Sequence, residues 1–310
     1  MRTKVLGIKR LGAAAATAAI SVGFAAQALA ADIVGQPTNT RIGFQPAATE
    51  LRQQAMNFHD YFLLPILTVI TLFVLGLLIW IIIRYNKRAN PTPARFTHNT
   101  TVEVIWTVVP VLILLVIAIF SFRLLFRYHD MPKPYMTVKA NAYQWYWGYE
   151  YPDQKISEQI SRVATPEQAK ADGVQYLLSA TNPMVVPVGR VVQVLTTGQD
   201  VIHSFSVNAF GIKIDAVPGR VNQTWFKADR VGTFYGSCRE LCGVDHAFMP
   251  IEVHVVTQPE FDAWVKTKGG GVEPAAPAPA VAATPAAGEA AAPAAATAPA
   301  APAAAAAPQS

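Results

Sequence analysis

The sequence has little charge, few cysteines and none of the usual nucleotide-binding motifs. Asp, Glu, Lys and Arg make up 15% of its 310 residues, and only two residues are cysteine. It contains no P-loop, no dinucleotide fingerprint and no basic patch interleaved with aromatic residues. These absences argue against nucleotide-dependent catalysis and against nucleic-acid binding. The hydrophobic share of 52% instead indicates a membrane part together with one compact domain.

Positive charge is concentrated at the start of the chain. Residues 1–130 contain 12 Lys and Arg against 5 Asp and Glu, and residues 131–310 contain 13 against 15, so the two parts carry +7 and −2. Residues 1–30 have a basic start, an alanine-rich run and a small-residue cleavage site ending at Ala30, which is typical of a secretory signal peptide. A first transmembrane helix is the alternative, but the run is weakly hydrophobic, which favours cleavage.

Two uncharged stretches follow within residues 31–130. They cover residues 62–83 and 104–122, and each is long enough to cross the ~30 Å hydrocarbon layer as a helix. We expect spans at about 62–83 and 104–125, joined by a loop whose basic residues place it in the cytoplasm. The predicted hairpin would lie in the bacterial inner membrane, with the N-terminus and the outer domain in the periplasm.

The outer domain, residues 131–270, consists of short alternating segments rich in β-branched and aromatic residues. Such segments, separated by turn signals, predict a small all-β Greek-key barrel. Helices are expected at 165–172, with Thr165 as cap, and at 259–267. Residues 271–310 are almost only Ala and Pro, which predicts a disordered tail. The predicted strands are residues 136–151, 175–180, 190–197, 202–208, 221–227, 232–236 and 250–256.

Both cysteines lie in one short stretch together with other soft ligands. Cys238 and Cys242 are four residues apart, His246 follows four residues later and Met249 three after that, while His203 lies upstream. Thiolate, imidazole and thioether form the ligand set that selects copper. A blue-copper site uses a single thiolate, so this stretch has one too many. Two thiolates could instead bridge two copper ions.

Two simpler sites would use part of the same stretch. A disulfide would suit an exported domain, but it would leave His203, His246 and Met249 without a role. A structural zinc site could use two cysteines and two histidines, but it would not need Met249. We therefore favour copper over both alternatives.

Four motifs together make the chain resemble subunit 2 of haem-copper cytochrome c oxidase of the bacterial aa type. They stand in the family's order, and the resemblance extends from about residue 35 to residue 266. It implies a cupredoxin fold for the outer domain, a membrane hairpin, and assembly with subunits 1 and 3. Cytochrome c would reduce a binuclear CuA centre, which would reduce haem in subunit 1, where oxygen becomes water and protons are pumped. The motifs are TVEVIWT at 101–107, QWYWGYEY at 144–151, DAVPGR at 215–220 and RELCGVDHAFMPI at 239–251.

The resemblance also implies how the CuA ligands are shared. Both thiolates would bridge the two copper ions. His203 and Met249 would complete one copper, and His246 with the backbone carbonyl of Glu240 the other. Arg239 stands where serine is common in the family, at a position that is not a ligand. The implied ligands are His203, Cys238, Glu240, Cys242, His246 and Met249.

Further roles are implied outside the copper site. The Glu240 carboxylate would bind Mg²⁺ shared with subunit 1, and Asp215 and Arg220 would lie on the haem-propionate side between the subunits. Trp145 would receive electrons from cytochrome c, and Glu103 would stand at the mouth of a proton path in subunit 1. Each role has a simpler alternative. Glu240 could be a solvated carboxylate, and Asp215 with Arg220 a capped turn with an ion pair. Trp145 could be a core aromatic residue, and Glu103 an interfacial carboxylate.

The charge and the motifs also bear on partners and on related proteins. The net charge of −2 in the outer part fits attraction to a basic cytochrome c, with Asp200, Glu150 and Asp153 as candidate docking acids. A quinol oxidase subunit would lack the copper ligands, and a fused c-type haem domain would need Cys-x-x-Cys-His. A copper chaperone would favour exposed Met- and His-rich motifs, and a nitrous oxide reductase would need a large second domain.

Overall fold

The structure of the chain is a computed structural model that describes residues 35–38 and 41–271. Two long helices and an outer domain built on two sheets make up this described part. The predicted signal peptide, and the Ala/Pro-rich tail from residue 272 onward, lie outside the described residues.

Two capped helices form the hairpin. Helix α1 (Glu50–Arg84) begins after Thr49, whose hydroxyl accepts the Arg52 N–H. Helix α2 (Thr100–His129) begins after Asn99, whose side chain accepts a hydrogen bond from the first turn. Both helices are long and apolar enough to cross a membrane, and no other described part of the chain covers their most apolar windows. Lipid or a partner subunit would cover these exposed apolar surfaces.

The helices extend beyond the uncharged stretches that predicted them. Polar residues continue α1 on the side of the outer domain, and a π-helical segment, Phe58–Leu63, joins the polar part to the apolar part. Phe62 of α1 contacts Phe120 of α2, with ring centroids 4.8 Å apart. Backbone hydrogen bonding thus carries α1 past the edge of the predicted hydrocarbon layer.

Ten strands in the described residues form two five-stranded sheets. The strands are β1 (Met136–Tyr143), β2 (Tyr146–Tyr151), β3 (Ile156–Ser161), β4 (Met184–Pro187), β5 (Val192–Gly198), β6 (His203–Val207), β7 (Ile212–Ala216), β8 (Asn222–Phe226), β9 (Gly232–Cys238) and β10 (Pro250–Val256). The strand orders are β3-β2-β1-β5-β8 and β4-β10-β9-β6-β7. Neighbours are antiparallel except β1 with β5 and β4 with β10. The prediction of an all-β, cupredoxin-like outer domain is confirmed.

The hydrophobic core lies between the two sheets. In β1, Val138, Ala140 and Ala142 are fully buried, because alternate residues of a strand face the same side. Trp147 of β2 is also fully buried, and its ring meets Phe205 of β6 edge to face at 5.4 Å. This aromatic contact joins the two sheets near the ends of the strands that carry the predicted ligands.

Most predicted elements of the outer domain are confirmed. The last five predicted strands correspond to β5, β6, β8, β9 and β10. The predicted helices correspond to α3 (Pro166–Ala171), which follows a capping box at Thr165, and to α4 (Gln258–Thr267). Local signals were sufficient here because alternation, caps and turn residues all agree.

Other predicted strands differ from the structure. The segment 136–151 is a hairpin whose two strands are joined by the turn Gln144-Trp145, across a cis peptide bond. The predicted strand 175–180 is wrong, since these residues form turns in which Leu177 has a φ of 77°, and only Ala180 makes an isolated bridge. The sequence did not predict β3, β4 and β7, because β3 is polar and β4 and β7 are short.

Candidate metal centre

Two strand ends and one loop bring the predicted ligands together. His203 opens β6 and Cys238 closes β9, and these strands are antiparallel with Phe205 opposite Cys238. The loop after Cys238 carries Cys242 and Met249 before the chain returns as β10. Strand pairing therefore places a distant histidine beside both cysteines.

The sulfur atoms form a compact group. Cys238 Sγ and Cys242 Sγ are 3.9 Å apart, and both thiols are free and buried. Cys242 Sγ lies 3.6 Å from Met249 Sδ and 3.4 Å from His246 Nδ1, and Cys238 Sγ lies 3.3 Å from the Glu240 carbonyl oxygen. Every predicted donor on the ligand loop is thus in contact with a sulfur atom.

His203 completes the group from β6. Its ligating nitrogen and the sulfurs of Cys238 and Cys242 lie within 4.8 Å of one another, and its side chain is fully buried. Nε2 is 2.8 Å from an Asp200 carboxylate oxygen, whereas Nδ1 is buried and makes no hydrogen bond with the described residues. An unpaired buried nitrogen is costly, and a metal ion held by the thiols would satisfy it. The cluster therefore fits copper binding.

The two thiols have opposite tendencies to ionise. Burial raises the pKa of Cys238, but contacts with His203 and with the backbone of Glu240 and Ser204 outweigh it, so the pKa lies below its ordinary value. Burial, followed by the charge of Cys238, raises the pKa of Cys242 to about 12. The pair therefore retains a proton near neutral pH, which a bound metal ion would displace.

The turn between β1 and β2 covers the ligand loop. Gln144 Nε2 and Trp145 Nε1 both donate to the Cys242 carbonyl, at 2.9 and 3.2 Å. A Cβ at Gly243 would lie only 2.8 Å from the Trp145 ring. The half-buried indole predicted to receive electrons is thus in direct contact with the loop that carries the ligands.

Asp200, predicted as a docking acid, contacts His203 and the β1–β2 turn. One carboxylate oxygen contacts His203 Nε2, and the other accepts the Gln144 N–H at 2.6 Å. The Val201 N–H donates to the oxygen that contacts His203, at 2.6 Å. The carboxylate therefore orients a ligand histidine and ties it to the turn. An aspartate three residues before a ligand histidine was the available sequence signal, because metal-bound histidines usually donate their second N–H to a carboxylate.

Comparison with known proteins decides the family. A family model described as "Cytochrome C oxidase subunit II, transmembrane domain" matches residues 37–124, and one described as "Cytochrome C oxidase subunit II, periplasmic domain" matches residues 136–256. The chain belongs to the cytochrome c oxidase subunit 2 family. The resemblance seen in the four motifs is thereby confirmed.

Relatives of this subunit 2 chain cover most of its length. The "Probable cytochrome c oxidase subunit 2" of Rickettsia bellii is 47% identical over 233 residues, which are 75% of this chain and 86% of that protein. The "Cytochrome c oxidase subunit 2" of Cereibacter sphaeroides is 43% identical over 289 residues, 86% of this chain and 93% of that protein. The solved periplasmic domain of subunit II from Bradyrhizobium japonicum is 52% identical, with a TM-score of 0.42 over 45% of this chain and 97% of that chain.

Membership of the subunit 2 family settles the coarse function. The chain is a subunit of a haem-copper terminal oxidase, an oxidoreductase complex. It is anchored in a membrane by its helical hairpin and carries a periplasmic domain. The His/Cys cluster in that domain fits the copper site expected of the family.

The Glu240 carboxylate, Asp215 and Arg220 were predicted to act outside the copper site. The Glu240 side chain and Arg220 are exposed. Asp215 accepts a hydrogen bond from Lys213 Nζ at 2.8 Å, and this contact, with that of Ser204, holds the pKa of Asp215 below its usual value. No contact between Asp215 and Arg220 is present among the described residues, so the ion pair of the simpler alternative is absent there and Asp215 pairs with Lys213 instead.

Glu103 lies at the far end of α2 from the periplasmic domain. It stands in the first helical turn, where its carboxylate accepts the Asn99 N–H at 3.1 Å. The helix has 30 residues, about 45 Å at the usual rise, so Glu103 is remote from the cluster. The hydrogen bond that the Glu103 carboxylate makes caps the start of the helix.

The two other docking candidates are engaged within the domain. Glu150 pairs with Lys139 at 3.2 Å across β1 and β2. Asp153 accepts the Thr137 N–H at 2.6 Å. Both carboxylates are thus held by contacts within the domain, and their part in docking cytochrome c stays a prediction.

Proposed function

We propose that this subunit accepts single electrons from cytochrome c at a binuclear CuA centre and passes them to haem in subunit 1. There, oxygen would be reduced to water, coupled to proton pumping. The observation that carries the proposal is the convergence of two free thiols, a thioether, a carbonyl and His203, whose Nδ1 has no other partner. A single-thiolate copper site or a disulfide would leave part of this group unused.

The proposed ligand assignment follows the contacts. Cys238 and Cys242 would hold both metal ions, and bound copper would supply the one-electron redox chemistry of the site. The remaining donors would each complete one copper: His203 with Met249, and His246 with the Glu240 carbonyl. This division is the one that the resemblance to the family implies, and in the structure Met249 and His246 both contact Cys242.

The protein would hold the metal ions in a rigid environment from which water is excluded. Cys238 and Cys242 are each 4% exposed and Met249 1%, so the packed domain excludes water from the sulfurs. Asp200 fixes the His203 ring, and the β1–β2 turn holds the Cys242 carbonyl. Ligands held in this way move little when the charge of the site changes, which favours fast electron transfer.

Trp145 is the proposed point at which electrons enter. A reduced cytochrome c would lose an electron and become oxidised as the copper centre becomes reduced. The proposal is supported by the indole's contact with the Cys242 carbonyl, which links the ring to a bridging ligand through one hydrogen bond. The indole is only half-buried, so a partner could approach it.

The remaining predicted roles are proposals for the assembled oxidase. The exposed Glu240 carboxylate would bind Mg²⁺ together with subunit 1, and Asp215 and Arg220 would face the haem propionates. Glu103 would stand at the proton-path mouth, next to its helix-capping contact. We also propose the inner membrane as the location, two spans with the N-terminus in the periplasm, and subunits 1 and 3 as partners.

Metal analysis of the purified full-length chain tests the proposal. We expect two copper ions per chain, and an electron spin resonance spectrum in which the unpaired electron is shared by both copper nuclei. Loss of either thiol by Cys238→Ser or Cys242→Ser should abolish that spectrum. Bound zinc, a single copper ion, or a disulfide between the two cysteines would refute the binuclear assignment.

A further inference from the structure

The turn that carries Trp145 is also held from the outer face of its own sheet. Alternation along β1 and β2 directs Asn141, Tyr143, Tyr146 and Gly148 away from the core, because their neighbours Ala140, Ala142 and Trp147 are fully buried. Tyr143 and Tyr146 stand on either side of the turn and pair across the hairpin. Whatever holds these two rings therefore holds the turn.

Glu158 of β3 reaches across this face. Its Oε1 accepts a hydrogen bond from Asn141 Nδ2 at 2.8 Å and from the Tyr143 hydroxyl at 3.1 Å, and its Oε2 lies 3.2 Å from the same hydroxyl. Gly148 of β2 leaves the space for it, since a Cβ there would collide with the carboxylate. The acid thus ties β3 to β1 over the intervening strand.

The two tyrosines transmit this support to the turn. Their rings stack with centroids 4.6 Å apart and planes 8° apart, and the Arg162 guanidinium lies 3.9 Å from the Tyr146 centroid. Burial, then the charge and hydrogen bond of Glu158, raises the pKa of Tyr143 to about 12. The hydroxyl therefore remains a proton donor to Glu158 under all ordinary conditions.

We propose that Glu158 is a positioning residue for electron input, acting through Tyr143 and the tyrosine stack on the turn that carries Trp145. The turn is held on its other side by the Gln144 N–H bond to Asp200. Glu158 and Asp200 together keep the indole on the Cys242 carbonyl. This inference rests on the proposed role of Trp145 in electron transfer.

Variants of the assembled oxidase test the proposal. Glu158→Ala removes both hydrogen bonds, Glu158→Gln keeps an acceptor for Tyr143, and Tyr143→Phe removes the donor. Glu167→Gln is the matched control, because it removes the same charge from the first turn of α3, away from this face. The measurements are the rate of electron transfer from cytochrome c, with kcat and KM separated, and amide hydrogen exchange of residues 142–147.

We expect Glu158→Ala to lower kcat about tenfold, as small misplacements of a reacting group do, with KM unchanged and faster exchange of residues 142–147. Tyr143→Phe should act in the same direction. Glu158→Gln and the Glu167→Gln control should stay near the unmodified oxidase, and the copper spectrum should be the same in all four variants.

Two results would overturn the positioning role. One is an unchanged kcat in Glu158→Ala despite faster exchange of the turn. The other is a salt-dependent rise of KM shared by Glu158→Gln and Glu158→Ala, which would make Glu158 a docking charge. A Trp145→Ala variant measured in parallel separates the two proposals. If it transfers electrons normally, the proposed role of Trp145 fails, and the exchange data alone then decide whether Glu158 holds the turn.

Discussion

At the scale of single residues, Asp200 shows what the structure adds to the ligand motif. The sequence suggested this acid as one of three docking charges. Its carboxylate instead contacts His203 Nε2 and two backbone N–H groups. The other ring nitrogen of His203, Nδ1, makes no hydrogen bond with the described residues. Asp200 is therefore the hydrogen-bond partner that orients this ring.

Replacing Asp200 should weaken the copper site. We expect Asp200→Ala to lower copper affinity about tenfold to hundredfold, which is the usual effect of losing a carboxylate behind a histidine ligand. Competition with a chelator in the full-length chain measures this. Asp229→Ala is the control, because it removes an equally charged residue that pairs with its neighbour Arg230. Equal affinities for the two variants would contradict the orienting role.

At the scale of elements, the pairing of β6 with β9 creates the site. The motif around Cys238 is local, but His203 reaches it only because Phe205 lies opposite Cys238. Gly236 allows these strands to approach, since a Cβ there would collide with the Ser206 carbonyl of β6. The close approach of two backbones thus sets the geometry of the ligands.

A methyl group at Gly236 should therefore disturb both stability and metal binding. We expect Gly236→Ala to lower the free energy of unfolding by about 1–3 kcal/mol, which is typical of overpacking, and to reduce copper loading. Denaturant unfolding of the detergent-solubilised chain measures the first and absorption spectroscopy the second. Gly271→Ala, at a position with open space, should change neither. A Gly236→Ala variant with unaltered stability would show that β6 can shift without cost.

Element prediction succeeded where the signals are local and failed where they are not. The cap at Thr165 marked α3 correctly, and the closing helix predicted at 259–267 is α4. The segment 175–180 reads as a strand, yet only Ala180 makes a bridge, with Val163, and Leu177 turns the chain instead. The polar β3 becomes a strand because β2 supplies hydrogen-bonding partners. The composition of one segment does not determine which distant segment it pairs with.

At the scale of the whole molecule, the hairpin defines how the periplasmic domain is presented. The two apolar helices have no protein cover in the described chain, and the basic residues of their connecting loop indicate the cytoplasmic side. The periplasmic domain must then lie on the opposite side of the membrane. Trp225 Nε1 donates to the Tyr128 carbonyl at 3.0 Å, which ties this domain to the end of α2.

Reporter fusions would test this topology. A fluorescent protein that folds only in the cytoplasm should fluoresce when inserted between α1 and α2, in the loop at residues 85–99. Alkaline phosphatase joined after residue 271 should be active, because it needs the oxidising periplasm. The exchanged fusions serve as controls and should both be silent. Fluorescence from the fusion after residue 271 would reverse the proposed orientation.

The sequence by itself determined the family, the hairpin and the types of ligand. Each of these depends on residues close together in the chain: uncharged runs, or cysteine, histidine and methionine within one loop. Only the tertiary structure decided that Asp200 orients His203, that Trp145 lies on the Cys242 carbonyl, and that Glu158 supports the turn. The contacts of Trp145 and Glu158 join residues from separate segments, and which segments meet is a property of the whole fold. Asp200 is only three residues from His203, but the fold decided that its carboxylate contacts that ring.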